Sequence, residues 1–541
     1  MVATLVAGPL LALPLSFLGG AESFRTLAGS LLPEAMWASA VLAAGVAAGT
    51  LLLGGGLAVL VSFYDFPGRS WLDWALILPL AMPAYVLVFV LLGQYDPEGG
   101  LQILLRSVLG PDFQLPEIRS TGGTITVLTL VLYPYVYVLG RSAFMGQSRD
   151  TIEAARTLGL SHAAAIRRVA LPLARPALAA GVALAVMEAL ADFGAVNLLN
   201  YRAMTDAIYR VWFGTFDKAG ALQLASVLVT FTLSLVALER LLRGRARYHG
   251  ALARGEAVVP RRVSGMRGMA LALVPISLLL IVLVAPLVQL AIWVGGSLGT
   301  GAGAGSLVRA AANSLLLAGV AGLVAVTAAT AIAYGRHTRP SRLGSLFATL
   351  SSLGYAVPGT VVAVAVYTPL AWVDRRISGA AQSLGADLPL LFTGSVLGLV
   401  VAYVVRFHAL ALSAVATRME RIEPSLDDAA RSLGADRTRL LSEIHVPLLW
   451  PGILTAGLLV FVEVMKELPV TALLRPLGGD TLAIAVWEAT KDSRFDTAAL
   501  PALLIVAVGL VPVVGLVRLS RSGEPVQEDA LLAGGRAGEQ H

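Results

Sequence analysis

The strongest constraint on this chain is the recurrence of predominantly apolar stretches of 18 residues or more. At that length a helix begins to cross a hydrocarbon layer about 30 Å thick. Twelve such stretches occur, at roughly 1–20, 35–63, 71–95, 122–145, 174–199, 220–242, 268–295, 308–335, 343–373, 388–415, 449–474 and 498–519. In lipid, backbone amides must be paired within the segment, so runs of this length predict an all-α polytopic membrane protein. Composition agrees, since 57% of the 541 residues are hydrophobic and only 14% charged. Soluble domains carry about 25% charged residues, and a soluble chain this apolar would expose large hydrophobic patches. The first stretch contains Pro9 and Pro14 and has no basic residue before it. It lacks a clear positive start and small-residue cleavage site, so it reads as a helix and not a signal peptide. The sequence leaves open whether further residues precede Met1.

The formal charge of +6 does not indicate nucleic-acid binding, because the arginines sit in short clusters between apolar runs. Arg167 and Arg168 follow the fourth stretch, and a dense cluster from Arg243 to Arg267 follows the sixth. Arg336, Arg339 and Arg342 follow the eighth, and Arg437 and Arg439 the tenth. All fall on one side if both termini are cytoplasmic. The opposite loops, at 96–121, 200–219, 374–387 and 475–497, mix acids and bases. Cysteine is absent, which excludes disulfides and thiolate chemistry.

The chain repeats itself at a constant offset. Glu153-Ala154-Ala155-Arg156-Thr157-Leu158-Gly159 reappears 275 residues later as Asp428-Ala429-Ala430-Arg431-Ser432-Leu433-Gly434. Leu171-Pro172 is answered by Val446-Pro447, Glu188 by Glu463, and Asp192 by Glu467. An even number of spans per half gives both halves the same orientation, so twelve helices form two parallel six-helix repeats about an axis along the membrane normal. The expected division is a first half at 1–242, a basic cytoplasmic linker at 243–267, a second half at 268–520 and a cytoplasmic tail at 521–541.

The local chemistry of the repeated loop predicts a compact knob. Asp150 and Ser425 stand three residues before Glu153 and Asp428, the spacing of a helix-starting capping box. Gly159 and Gly434 are suited to stop that helix in a left-handed cap. Ser161 and Asp436 can start a second short helix that runs into Pro172 and Pro447. A single such loop would read as an amphipathic interfacial helix; two equivalent copies argue for docking surfaces.

Four acids, Glu188, Asp192, Glu463 and Glu467, fall in or near the outer ends of the fifth and eleventh stretches, with Lys466 beside them. A charge at membrane depth costs about 2.5–3.5 kcal/mol on insertion scales, so such residues usually mark a pathway. Glu463 and Lys466, three apart, can instead pair on one helix face. These residues read as pathway electrostatics or gating, not as a metal site, because a deep binding well would slow release. The histidines show no ligand spacing. Trp212 and Trp487 are equivalent positions in the outer loops, suited to interfacial anchoring or to docking of a partner.

The pattern Glu/Asp-Ala-Ala, three residues, Gly, nine residues, a branched residue, one residue and then Leu/Val-Pro occupies 153–172 and 428–447, with Val169 and Ile444 at the branched position. It resembles the cytoplasmic loop of binding-protein-dependent ABC importer permeases, here of the fused two-half type. The resemblance implies a type I importer permease fold with two coupling loops docked on two separate ATP-binding cassette subunits. Glu153, Ala154, Ala155, Gly159 and Pro172, with Asp428, Ala429, Ala430, Gly434 and Pro447, would make that contact. It further implies a periplasmic substrate-binding protein and a site in the cell inner membrane. The only lysines, Lys218, Lys466 and Lys491, follow Asp217, Met465 and Thr490. No Gly-Lys-Ser/Thr phosphate loop exists, so ATP would be bound and hydrolysed on the partners and no cofactor on this chain. The segments Glu188-Ala189-Leu190-Ala191-Asp192-Phe193-Gly194 and Lys466-Glu467-Leu468-Pro469 resemble those of ferric iron permeases, and less closely those for thiamine. A secondary transporter also commonly has twelve spans in two parallel halves, but needs no docking loop.

Overall fold

The structure is a computed structural model. It describes residues 2–19, 22–243, 259–297, 304–338, 342, 348, 351, 354 and 357–522. The first half comprises α1 (Val2–Leu15), α2 (Leu31–Phe63), α3 (Arg69–Ala81), α4 (Ala84–Tyr95), α5 (Thr121–Met145), α6 (Arg149–Thr157), α7 (His162–Ala191), α8 (Gly194–Leu198), α9 (Met204–Gly214) and α10 (Lys218–Arg243). The second comprises α11 (Gly265–Gly296), α12 (Ala304–Thr338), α13 (Gly359–Ser383), α14 (Val396–Met419), α15 (Pro424–Ser432), α16 (Leu440–Met465), α17 (Pro469–Leu474), α18 (Leu482–Lys491) and α19 (Phe495–Ser522). Every one of these first-half elements whose equivalent positions are described finds its counterpart in the second near the 275-residue offset; the positions equivalent to α3 lie mostly outside the described residues. The fold is an all-α polytopic one built from two repeats.

Among the described residues nine helices are long and apolar enough to span, and a tenth is a pair, α3 and α4, bent by 89°. The sequence predicts twelve. The first of those is shortened to the 14 residues of α1. The ninth, at 343–373, falls partly outside the described residues; its described portion, α13, runs on to Ser383 through Asp374, Arg375 and Arg376. The outer connection expected at 374–387 therefore lies later. Asp374 is buried, and its carboxylate accepts hydrogen bonds from the amides of Leu391, Phe392 and Thr393 at 2.9, 3.1 and 2.7 Å. That folds the connection back over α13 and delays α14 to Val396.

Proline sets the breaks. Pro83 and Pro358, equivalent positions in extended conformation, start α4 and α13. Just ahead of Pro172 and Pro447 the helices widen into i to i+5 turns at Ile166–Ala170 and Leu440–His445. Proline lacks an amide and crowds the carbonyl four residues back, and a wider turn relieves both problems. Small residues permit close packing: a side chain on Gly54 or Gly181 would strike the α5 backbone at Tyr133 or Val136.

The halves interlock. α1 packs on α13 and α14 of the other half, while α11 packs on α4. Likewise α9 and α10 contact α13, as α18 and α19 contact α4. Phe89 of α4 sits between Trp293 and Phe495, with ring centroids 5.3 and 5.8 Å away. From the segment expected as linker, Arg261–Arg262 (β2) pairs in parallel with Tyr64–Asp65 (β1); residues 244–258 lie outside the described set.

Candidate functional site

The repeated loop forms two matching helix-turn-helix knobs, α6 leading into α7 and α15 into α16. Their starts differ from expectation: the capping positions are Ser148 and Glu423, two residues before Asp150 and Ser425. Ser148 Oγ accepts from the Asp150 amide at 3.2 Å, whereas Glu423 makes no side-chain capping bond, and Pro424 takes the first helical position, where a missing amide costs nothing. The stops agree with the sequence reading. Gly159 and Gly434 have φ of +92° and +85°, and the next amides, of Leu160 and Ala435, return to the Ala155 and Ala430 carbonyls at 3.2 and 3.0 Å. Ser161 and Asp436 start the following turns by accepting from the Ala164 and Arg439 amides. Ala155 and Ala430 are buried against the body, leaving Glu153, Ala154, Asp428 and Ala429 exposed. Leu158 and Leu433, equivalent residues beside the glycines, are 86% and 87% exposed. Two bare leucines at matching knob tips are apolar contacts awaiting a partner surface.

The second feature is a cavity of about 130 Å³ where the halves meet. Glu188, Asp192, Glu463, Lys466 and Glu467 all line it, together with Tyr85 of α4 and Arg406 of α14. Asp192 and Glu467 occupy the breaks between α7 and α8 and between α16 and α17. Each accepts from the first turn of the short helix beyond, Asp192 from the Ala195 amide at 2.7 Å and Glu467 from the Val470 amide at 2.9 Å. These acids are thus helix caps as well as cavity walls, a role that their placement within apolar stretches did not reveal. Lys466 Nζ pairs with Glu463 Oε1 at 2.7 Å, as the three-residue spacing allowed. Arg406 Nη1 lies 3.4 Å from Glu467 Oε1. Four carboxylates face two cations, a formal charge of minus two. Arg406 was not among the residues singled out from sequence, although a lone arginine inside an apolar stretch is itself a signal.

The two equivalent tryptophans, Trp212 and Trp487, are buried, not lipid-facing anchors. Trp487 donates from Nε1 to Asn197 Oδ1 at 3.0 Å, and Asn197 Nδ2 donates to Asp206 Oδ1 at 2.8 Å. Arg210 closes this relay across the halves at 2.6 Å from Asp206 Oδ2. Burial pushes the Asp206 carboxyl up, against the pull of Asn197 and Arg210. Lys491 Nζ lies 4.1 Å from the Trp487 ring, and Lys218 Nζ the same distance from Tyr367, which packs on Trp212. Both cation–π boxes close the seam between halves.

A polytopic helical chain with two equivalent knobs, and a charged cavity between its halves, is the membrane subunit of a transporter. It belongs to the family described as binding-protein-dependent transport system inner membrane component, whose profile matches residues 50–248 and again 332–522. Carrying the family domain twice, it is a fused two-half permease of the inner membrane and a transport subunit, not an enzyme. The chain is 26% identical to the Fe(3+)-transport system permease protein FbpB 2 of Haemophilus influenzae, over 91% of this chain and 90% of that one. A probable molybdenum ABC transporter permease protein of Haloferax volcanii is 33% identical over 38% of this chain and 76% of its own. The sulfate transport system permease protein CysT of Salmonella typhimurium is 29% identical over 33% of this chain and 65% of its own.

Proposed function

We propose that this permease imports ferric iron, received from a periplasmic binding protein and released to the cytoplasm, with ATP bound and hydrolysed on two separate subunits. The observation that carries the cargo assignment is the cavity between the halves, whose four carboxylates outnumber Arg406 and Lys466. A like charge 4 Å from an oxyanion costs about 4 kcal/mol at an effective dielectric constant of 20, which weighs against sulfate or molybdate. Carboxylate oxygens suit hard cations. The similarity to the Fe(3+) permease also spans both halves, whereas the molybdenum and sulfate relatives match about a third of the chain.

In this reading the knobs around Glu153–Gly159 and Asp428–Gly434 each dock on one ATPase subunit, with Leu158 and Leu433 entering its surface. Closure of those subunits moves α7 and α16 through Pro172 and Pro447, and the breaks at Asp192 and Glu467 open or close the cavity. Glu188, Glu463 and Lys466 tune its field without holding the ion tightly. Both termini are cytoplasmic, and the halves at 1–242 and 268–520 are joined by a basic linker.

The test is uptake of labelled iron, molybdate, sulfate and thiamine in a strain deleted for this gene and complemented with it. Iron uptake restored by the wild type, and reduced at least tenfold by Glu188→Gln with Glu463→Gln, is expected. Restoration of oxyanion or thiamine uptake instead would overturn the cargo assignment and leave the permease assignment standing.

A further inference from the structure

The root of the second coupling helix holds a polar trio that the transport reading does not use. His337 lies in the last turn of α12, Asp427 in α15, and His445 in the wide opening turn of α16. His445 Nε2 is 2.7 Å from Asp427 Oδ1, and His337 Nε2 is 3.5 Å from Asp427 Oδ2. One donor atom from each lies within 4.8 Å of the others. The imidazoles meet nearly at right angles, with centroids 5.3 Å apart. Asp427 and His445 are buried, and His337, 12% exposed, leaves an edge open to solvent.

The repeat supplies an internal control. The equivalent residues of the first half are Ser62, Ile152 and Ala170, all buried. The same joint between span and coupling helix therefore closes there without a histidine–carboxylate cluster, with Gln147 Nε2 donating to the Ala170 carbonyl at 3.0 Å. A buried carboxylate between two imidazoles is a poor substitute for apolar packing on stability grounds, so the joint itself does not call for the trio. Two imidazoles and a carboxylate suit a divalent first-row transition ion such as Zn²⁺, Fe²⁺ or Co²⁺, and not the hard, all-oxygen ions. A tetrahedral ion with bonds of about 2.0–2.2 Å places its donors about 3.3 Å apart; one donor atom from each residue already lies within 4.8 Å of the others, so small side-chain shifts reach that spacing. Arg431 Nη2, 3.7 Å from Asp427 Oδ2, is half exposed and has a second partner in Asp428, so it can yield the carboxylate.

We propose that His337, Asp427 and His445 bind one divalent transition-metal ion, which fastens the second coupling helix to the span behind it. Water completes the coordination through the open edge. The two coupling loops are then unequal: the second responds to the cytoplasmic metal level and the first does not. The site rests on the geometry of the trio and is independent of the cargo.

The test uses the full chain purified on a tag without histidine, stripped with chelator, loaded with Zn²⁺ and desalted. One Zn²⁺ per chain is expected in the wild type. At the same free Zn²⁺, His337→Ala and Asp427→Asn should each retain less than a tenth of that. Co²⁺ should give the visible absorption of a tetrahedral site in the wild type only. Thermal unfolding without metal shows that the variants fold; if His337→Ala does not, His337→Gln takes its place. Substoichiometric Zn²⁺ in the wild type, or equal retention in a folded variant, overturns the proposal.

Discussion

Gly359, the first residue of α13, shows how little room the charged cavity leaves. A methyl group there would overlap the Arg406 guanidinium and come within 2.9 Å of Glu467 Oε1. Arg406 is the cation nearest the buried Glu467 carboxylate. Removing one partner of a buried pair costs about 3–5 kcal/mol, because a charge is left uncompensated, while removing both is often neutral. Arg406→Gln is therefore expected to lower the thermal unfolding midpoint in detergent by several degrees, and adding Glu467→Gln should restore it. Iron uptake should stay low in the double variant, since the cavity field has changed. If uptake recovers together with stability, Glu467 is a structural cap and nothing more. At this scale the sequence was partly legible. The Glu463–Lys466 pair followed from its spacing, but Arg406 has Val131 as its counterpart, and a search by repeat passes over a residue present in one copy only.

The two knobs are the elements that the sequence described best, because caps and stops are local chemistry. Gly159 and Gly434 take the left-handed conformation that the pattern demanded, and nothing lies within 4 Å of a side chain added at either. The constraint there is backbone conformation, not space. A left-handed non-glycine residue costs roughly 1–2 kcal/mol, and less for asparagine. Gly159→Val should accordingly weaken copurification with the ATPase subunit more than Gly159→Asn does, with membrane insertion unchanged. Leu158→Asp with Leu433→Asp should abolish copurification without affecting folding, because both side chains are almost fully exposed. Retention of the ATPase by that double variant would remove the knobs from the interface. Exposure of the leucines was not legible: in sequence they read as ordinary apolar residues beside a glycine, and only the fold leaves them bare. The helix starts were misplaced by two residues because Asp150 and Ser425 match the spacing of a cap, whereas Ser148 and Glu423 hold its extended conformation.

For the whole molecule the parallel halves were legible from one offset, but their interlocking was not, since a repeat fixes what is equivalent and not what touches. The structure places α1 on the second half and α11 on the first, and Phe89 fully buried between Trp293 and Phe495. Such a seam should hold without the connecting segment. Fragments 1–250 and 251–541, expressed together, are expected to copurify one to one and to support uptake. The seam's strength then becomes measurable. Truncating a buried phenylalanine costs about 3–5 kcal/mol. In the intact chain a tether holds the halves at an effective concentration on the order of millimolar. Separate fragments at micromolar concentration lack that factor of about 10³, worth about 4 kcal/mol. Phe89→Ala should therefore leave the single chain assembled and active while separating the fragments, as read by copurification of one half on a tag carried by the other. Fragments that stay together despite Phe89→Ala would place the main strength of the seam elsewhere, with the relay from Arg210 through Asp206 and Asn197 to Trp487 as the next joint to cut.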